Sequence, residues 1–101
     1  MTYAVRFTKA AEDDLLRLID FLIVQDLPAV RNAHGAITEA VKFLTIFPFS
    51  CRKAEDSAGN PFVRELLIPF GNAGYVALFE IEDAKTVTIL AMRHQREDDY
   101  H

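Results

Sequence analysis

The chain has a single cysteine, Cys51, among 101 residues. No disulfide can form within it, and a reducing compartment suits it better than an oxidising one. The opening Met1-Thr2-Tyr3-Ala4-Val5-Arg6 lacks the apolar core of a secretory leader. No stretch approaches the roughly 18 apolar residues that a membrane span needs. A cytoplasmic protein with no membrane partner is therefore expected. Positive charge is in deficit as well: 11 Lys and Arg against 15 Asp and Glu give a formal net charge of -4. This argues against nucleic-acid binding by bulk electrostatics, which needs many uncompensated cations. A local basic site is still allowed, because net charge averages over all faces. There is no glycine-rich phosphate loop, no HExxH and no cysteine pair at zinc spacing, so neither cofactor nor metal is expected. Repeats, low-complexity segments and linkers are absent too, and the length suits one hydrophobic core, a single domain over residues 1–101.

What is present is clear periodicity. Thr2 to Phe7 predicts a short strand with Tyr3, Val5 and Phe7 on one face. Thr8 can cap a helix whose early turns hold Glu12, Asp13 and Asp14, where the helix dipole favours acids. Ala11, Leu15, Leu18, Ile19 and Leu22 form its apolar stripe. Asp26-Leu27-Pro28 interrupts the pattern, with Asp26 as cap and Pro28 in the first turn of a second helix. Val30, Ala33, Ile37, Ala40, Val41 and Leu44 line that helix, and Phe47-Pro48 ends it. Two helices so closely joined predict an antiparallel αα-hairpin. Phe49 to Phe62 has no period and is expected as a long surface loop carrying Arg52 and Lys53. Strands at Val63–Ile68, Gly74–Ile81 and Lys85–Met92 then make an antiparallel meander. The fold class is α+β: an N-terminal strand and a helical hairpin packed on a small antiparallel sheet, the early strand at its edge.

Few residues suggest chemistry. Cys51 beside Arg52 and Lys53 is either a thiol of lowered pKa or a spectator. His34 falls in a helix, whereas His94 and His101 fall in the polar run Arg93-His94-Gln95-Arg96-Glu97-Asp98-Asp99-Tyr100-His101. That run is either a solvated tail or a functional segment placed by the strand before it. Strand alternation sets Arg93 and His94 on opposite faces. Arg64 can edge the sheet and pair with Glu65 or Glu80. It can also lie beside Arg93 in a two-arginine patch suited to phosphate or carboxylate. Arg64, Arg93 and His94 near a phenol would supply the base, cations and acid of metal-free RNA cleavage. The aromatics Phe62, Phe70, Tyr75 and Phe79 are either core or the lining of a partner groove.

With these residues in view, the chain resembles the ParE/RelE superfamily of toxins from type II toxin–antitoxin modules. The resemblance is carried by Tyr3-Ala4-Val5-Arg6-Phe7-Thr8-Lys9-Ala10-Ala11-Glu12-Asp13-Asp14-Leu15, by Val63-Arg64-Glu65-Leu66 and by Gly74-Tyr75-Val76-Ala77-Leu78-Phe79-Glu80-Ile81. It ends in Val87-Thr88-Ile89-Leu90-Ala91-Met92-Arg93-His94 and the residues to Tyr100. It implies a helical hairpin on a small sheet and a cognate antitoxin, encoded alongside, that neutralises the toxin in a hetero-oligomer. For a RelE-like ribosome-dependent mRNA endonuclease, the resemblance implies catalytic roles for Arg64, His94 or Arg96, and Tyr100. For a ParE-like inhibitor of DNA gyrase, it implies a binding surface and no catalysis; that surface is expected near the C-terminal strand and tail, with Arg93 and Arg96 foremost and Arg64 as a further contributor. The acidic charge and the lack of basic residues upstream, beyond Arg52 and Lys53, favour the ParE side. A relic that binds its antitoxin without toxicity is the third reading.

Overall fold

The computed structural model describes residues 2–55, 59–71 and 73–97. Strand β1, Ala4–Phe7, leads into helix α1, Lys9–Gln25. Thr8 has extended backbone, and its hydroxyl accepts the Ala11 N–H at 3.0 Å, satisfying one of the helix's orphan donors. Asp26 alone separates α1 from α2, Leu27–Leu44. It links them through its backbone: its N–H donates to Leu22 O at 2.8 Å, and its carbonyl accepts from Ala29 at 3.0 Å. The expected side-chain cap from Asp26 is not made. Pro28, in the first turn, has no N–H to offer a cap, and the Ala29 N–H already goes to the Asp26 carbonyl, so the carboxylate has no donor left to satisfy.

Strands β2 (Arg52–Lys53), β3 (Val63–Phe70), β4 (Ala73–Ile81) and β5 (Thr86–His94) complete a sheet of order β1-β5-β4-β3-β2. The meander is antiparallel, as expected. The N-terminal strand lies at the edge, as expected, but runs parallel to β5 with Ala4 opposite Thr86, so the sheet is mixed. Two helices and three strands intervene, ample for the long crossover that a parallel pair requires. The expected loop at 49–62 needs correction. Arg52 and Lys53 form β2 opposite Glu65 and Arg64, and their neighbours Cys51 and Ala54 are buried. A two-residue strand is too short to show a period.

Register decides which face is covered. Leu66 and Ile68 of β3, Ala77 and Phe79 of β4, and Val87, Ile89 and Met92 of β5 join Ala11, Leu18, Ala33 and Leu44 in one core. Ala11 and Ala33 are fully inaccessible, so small side chains let the helices approach closely. Phe79 pairs with Ile89 but Leu78 pairs with Ala91, which leaves Leu90 as the extra residue of a β-bulge. The bulge inverts the alternation beyond it. Met92 and His94 therefore share the helix-covered face with Ile89, and Arg93 is turned to the other face.

Candidate functional site

At the end of β5 the chain turns back on itself through hydrogen bonds that the local sequence supplies. Gln95 N–H donates to Gly74 O at 2.8 Å, and Glu97 N–H to His94 O at 3.0 Å. Arg93 Nη1 donates to Glu97 O at 2.6 Å and to His94 O at 3.3 Å. A charged donor on carbonyls is stronger than a neutral one, so Arg93 holds the turn firmly. His94 Nδ1 accepts the Arg96 N–H at 3.1 Å, which places the neutral imidazole's proton on Nε2. Its ring meets Tyr75 edge-on at 6.0 Å, and Tyr75 stacks on Phe70 at 5.4 Å. Burial pushes the Tyr75 phenol above its ordinary pKa.

Helix α1 forms the opposite wall. Arg17 Nη1 lies 3.0 Å from Glu97 Oε1, and Arg17 Nη2 lies 3.9 Å from Asp14 Oδ1. Between α1 and the turn opens a cavity of about 410 Å³ lined by Arg17, Leu18, Phe21, His94, Arg96 and Glu97. Sequence reasoning found His94 and Arg96 but missed Arg17 and Phe21. The available signal was Phe21, an aromatic standing beside the apolar stripe of α1.

Arg64 belongs to a different place. Its Nη1 donates to Cys51 O at 2.8 Å and Phe49 O at 3.2 Å, its Nε to Pro61 O at 2.9 Å, and its guanidinium sits 5.3 Å from the Phe49 ring centre. The expected pairing with Glu65 or Glu80 is replaced by carbonyls, and Glu65 instead bonds Arg52 at 3.1 Å. The two-arginine patch is not formed either. Arg64 is aligned with Phe79 on the helix-covered face, and Arg93 with Val76 on the other. Nor does Arg64 approach His94, which is aligned with Tyr75. Four residues along and two strands across separate them by roughly 16 Å.

The remaining candidates are quickly placed. Cys51 is buried, and burial pushes its thiol up to about 11, against the opposing pull of Arg64. The activated-thiol alternative is thereby corrected, because desolvation outweighs the nearby cation. His34 is exposed on α2. Tyr100 and His101 lie outside the described residues. Tyr75 and Phe79 are core and Phe70 packs against it, whereas Phe62 is exposed and meets Phe49 edge-on at 6.1 Å. Those two rings, with Tyr3 and Ile81, line a second cleft of about 380 Å³. Among the described residues, no group of three His, Cys, Asp or Glu could hold a metal ion, and no helix is long and apolar enough to cross a membrane.

A helical hairpin over a five-stranded sheet, with a cationic turn closing its last strand, defines a small α+β domain of the ParE/RelE kind. The family model for the ParE toxin of type II toxin-antitoxin system, parDE, matches residues 5–99, and the chain belongs to that family. Its partner is accordingly a cognate antitoxin. Among solved structures it is similar to a chain of the chromosomal ParDE toxin–antitoxin system from P. aeruginosa. The identity is 24%, with 91% of this chain and 95% of that chain covered and a TM-score of 0.63, a likeness of fold. The comparison with curated proteins gave no match.

Proposed function

We propose that this ParE toxin inhibits DNA gyrase, and so replication, through the turn that closes β5, until its antitoxin neutralises it. Arg96 contacts the target, and Arg93 holds the turn that presents it. The supporting observation is the 2.6 Å bond from Arg93 to the Glu97 carbonyl. It fixes the turn carrying an exposed Arg96, and a preorganised cation binds with less ordering cost than one on a free tail. Arg64 enters as the residue that ties Phe49, Cys51 and Pro61 to β3, since its guanidinium is engaged by their carbonyls. The separation of Arg64 from His94 weighs against mRNA cleavage, which needs its cations and base around one phosphate.

The test is a supercoiling assay with purified gyrase, comparing the wild-type chain with an Arg93→Gln/Arg96→Gln variant. Losing one preorganised cation and its support is expected to raise the inhibitory concentration about tenfold or more, the equivalent of about 1.4 kcal/mol. Unchanged inhibition by the variant overturns the assignment of the surface. Codon-positioned mRNA cleavage on induction overturns the gyrase reading. Wild-type protein that inhibits neither process points to the antitoxin-binding relic.

A further inference from the structure

We propose that the pocket between α1 and the end of β5 receives a carboxylate from an acidic peptide segment of a protein partner, and that Glu97 is the internal occupant it displaces. This rests on reading the end of β5 as a contact surface, and no step of it requires gyrase.

Glu97 Oε1 takes the Arg17 guanidinium at 3.0 Å and lies 3.4 Å from the His94 N–H. A cation and a backbone donor converging on one oxygen are what a carboxylate arriving from outside would need. The turn itself is held by other atoms. Arg93 grips the Glu97 carbonyl at 2.6 Å, and the Glu97 N–H donates to His94 O at 3.0 Å. The carboxylate can therefore leave the pocket while the backbone stays in place.

The internal pair is a weak latch. Its side chains are 42% and 25% exposed, and ion pairs open to solvent favour closure by no more than roughly fivefold. A partner carboxylate with apolar neighbours has a further advantage, because Leu18 and Phe21 line the same cavity and Phe21 is 65% exposed. Charge complementarity selects the partner. Arg17 and Arg96 line the cavity on a chain of net charge -4, with the neutral His94 beside them. An isolated acidic side chain fits this spot, whereas the closely spaced phosphates of a nucleic acid would meet the exposed Asp13 and Asp20 of the same helix.

The experiment titrates the full chain with two capped tripeptides, Leu-Glu-Leu and Leu-Gln-Leu, following backbone amides by NMR. The acidic peptide is expected to shift the His94 and Arg96 amides, and the neutral one to leave them. Glu97→Gln is expected to tighten the acidic peptide about threefold, as removing an internal competitor raises the fraction of open pocket. Arg17→Gln is expected to abolish binding and Arg17→Lys to retain most of it, with amide shifts elsewhere unchanged as the check on folding. Equal binding of both peptides, weaker binding by Glu97→Gln, or displacement of the acidic peptide by a short oligothymidylate each overturns the proposal. Absent peptide binding with supercoiling inhibition intact removes this inference and leaves the gyrase reading standing; the converse removes only that reading.

Discussion

Asp14 Oδ2 accepts the backbone N–H of Met92 at 2.9 Å, so a helix side chain completes the edge of a β-strand. β1 covers β5 only as far as Ile89. Thr8 carries the edge one step on, its N–H donating to Ile89 O at 2.9 Å and its hydroxyl to Leu90 O at 3.0 Å. Beyond the bulge no strand among the described residues flanks this edge of β5, and the carboxylate of Asp14 takes its place. The same residue lies 3.9 Å from Arg17, which tethers the cavity wall to the strand that forms the turn.

Asp14→Ala would leave the Met92 N–H buried without that acceptor. The expected loss is about 1–3 kcal/mol of unfolding free energy, seen as a lower urea midpoint with an unchanged slope. Asp14→Asn keeps an acceptor oxygen and should lose less than half as much. Equal losses for the two variants would mean that charge, and not the hydrogen bond, sets the contribution.

These relationships mark where sequence stops being informative. The helices were legible because Leu15, Leu18 and Leu22, and then Ala33, Ile37 and Leu44, repeat at a spacing that only a helix places on one side. The meander was legible for a similar reason, its runs being long and its connections short. Arg64 was not, since its chemistry depends on carbonyls of Phe49, Cys51 and Pro61, which lack a distinguishing side chain. The faces of Arg93 and His94 were half legible. Alternation separates the two residues, but the bulge at Leu90 decides which one meets the helices, and a bulge leaves no fixed mark in sequence. Arg17 was missed because its partner Glu97 lies 80 residues away.

Arg64→Lys should destabilise the fold although it preserves charge. One ammonium cannot span the Pro61, Phe49 and Cys51 carbonyls, as the forked guanidinium does while sitting over the Phe49 ring. A loss of about 1–2 kcal/mol is expected in chemical denaturation. Supercoiling inhibition by the folded variant should stay within about twofold of wild type, since Arg64 is remote from the β5 turn by roughly 16 Å. A large loss of inhibition with unchanged stability would assign Arg64 a contact role after all.

Cys51 gives the fold a dependence on alkaline pH. Its thiol is raised from 9.0 to about 11 by burial, so folding favours the neutral form. The resulting stabilisation is complete below pH 9 and is lost as pH rises towards 11, amounting at most to about 2–3 kcal/mol. Subtracting the stability profile of Cys51→Ala from that of wild type should isolate this fall from the titration of Tyr75 and the lysines. A flat difference between pH 8 and 11 would contradict the burial of the thiol. Thiol-specific reagents at pH 8 should also label native protein far more slowly than unfolded protein, because the thiolate is the reactive form.

Gly74 couples the β3–β4 hairpin to the candidate site. Its carbonyl accepts the Gln95 N–H at 2.8 Å, and a Cβ at this position would stand 2.3 Å from Ile68 O. Because the obstacle is backbone, Gly74→Ala must push β4 away from β3 and displace the anchor of the turn at His94 to Glu97. A destabilisation of about 1–3 kcal/mol is expected, at the level of overpacking in a close-packed interior. Gly71→Ala provides the contrast. Gly71 has φ +61° and open space around its Cβ position, so only the left-handed backbone opposes substitution, at about 1 kcal/mol. Amide exchange distinguishes the two mechanisms. Gly74→Ala should raise exchange at Gln95 and weaken gyrase inhibition, whereas Gly71→Ala should lower global stability and leave both in proportion to wild type. Identical exchange patterns for the two variants would show that the Gly74 carbonyl does not hold the turn.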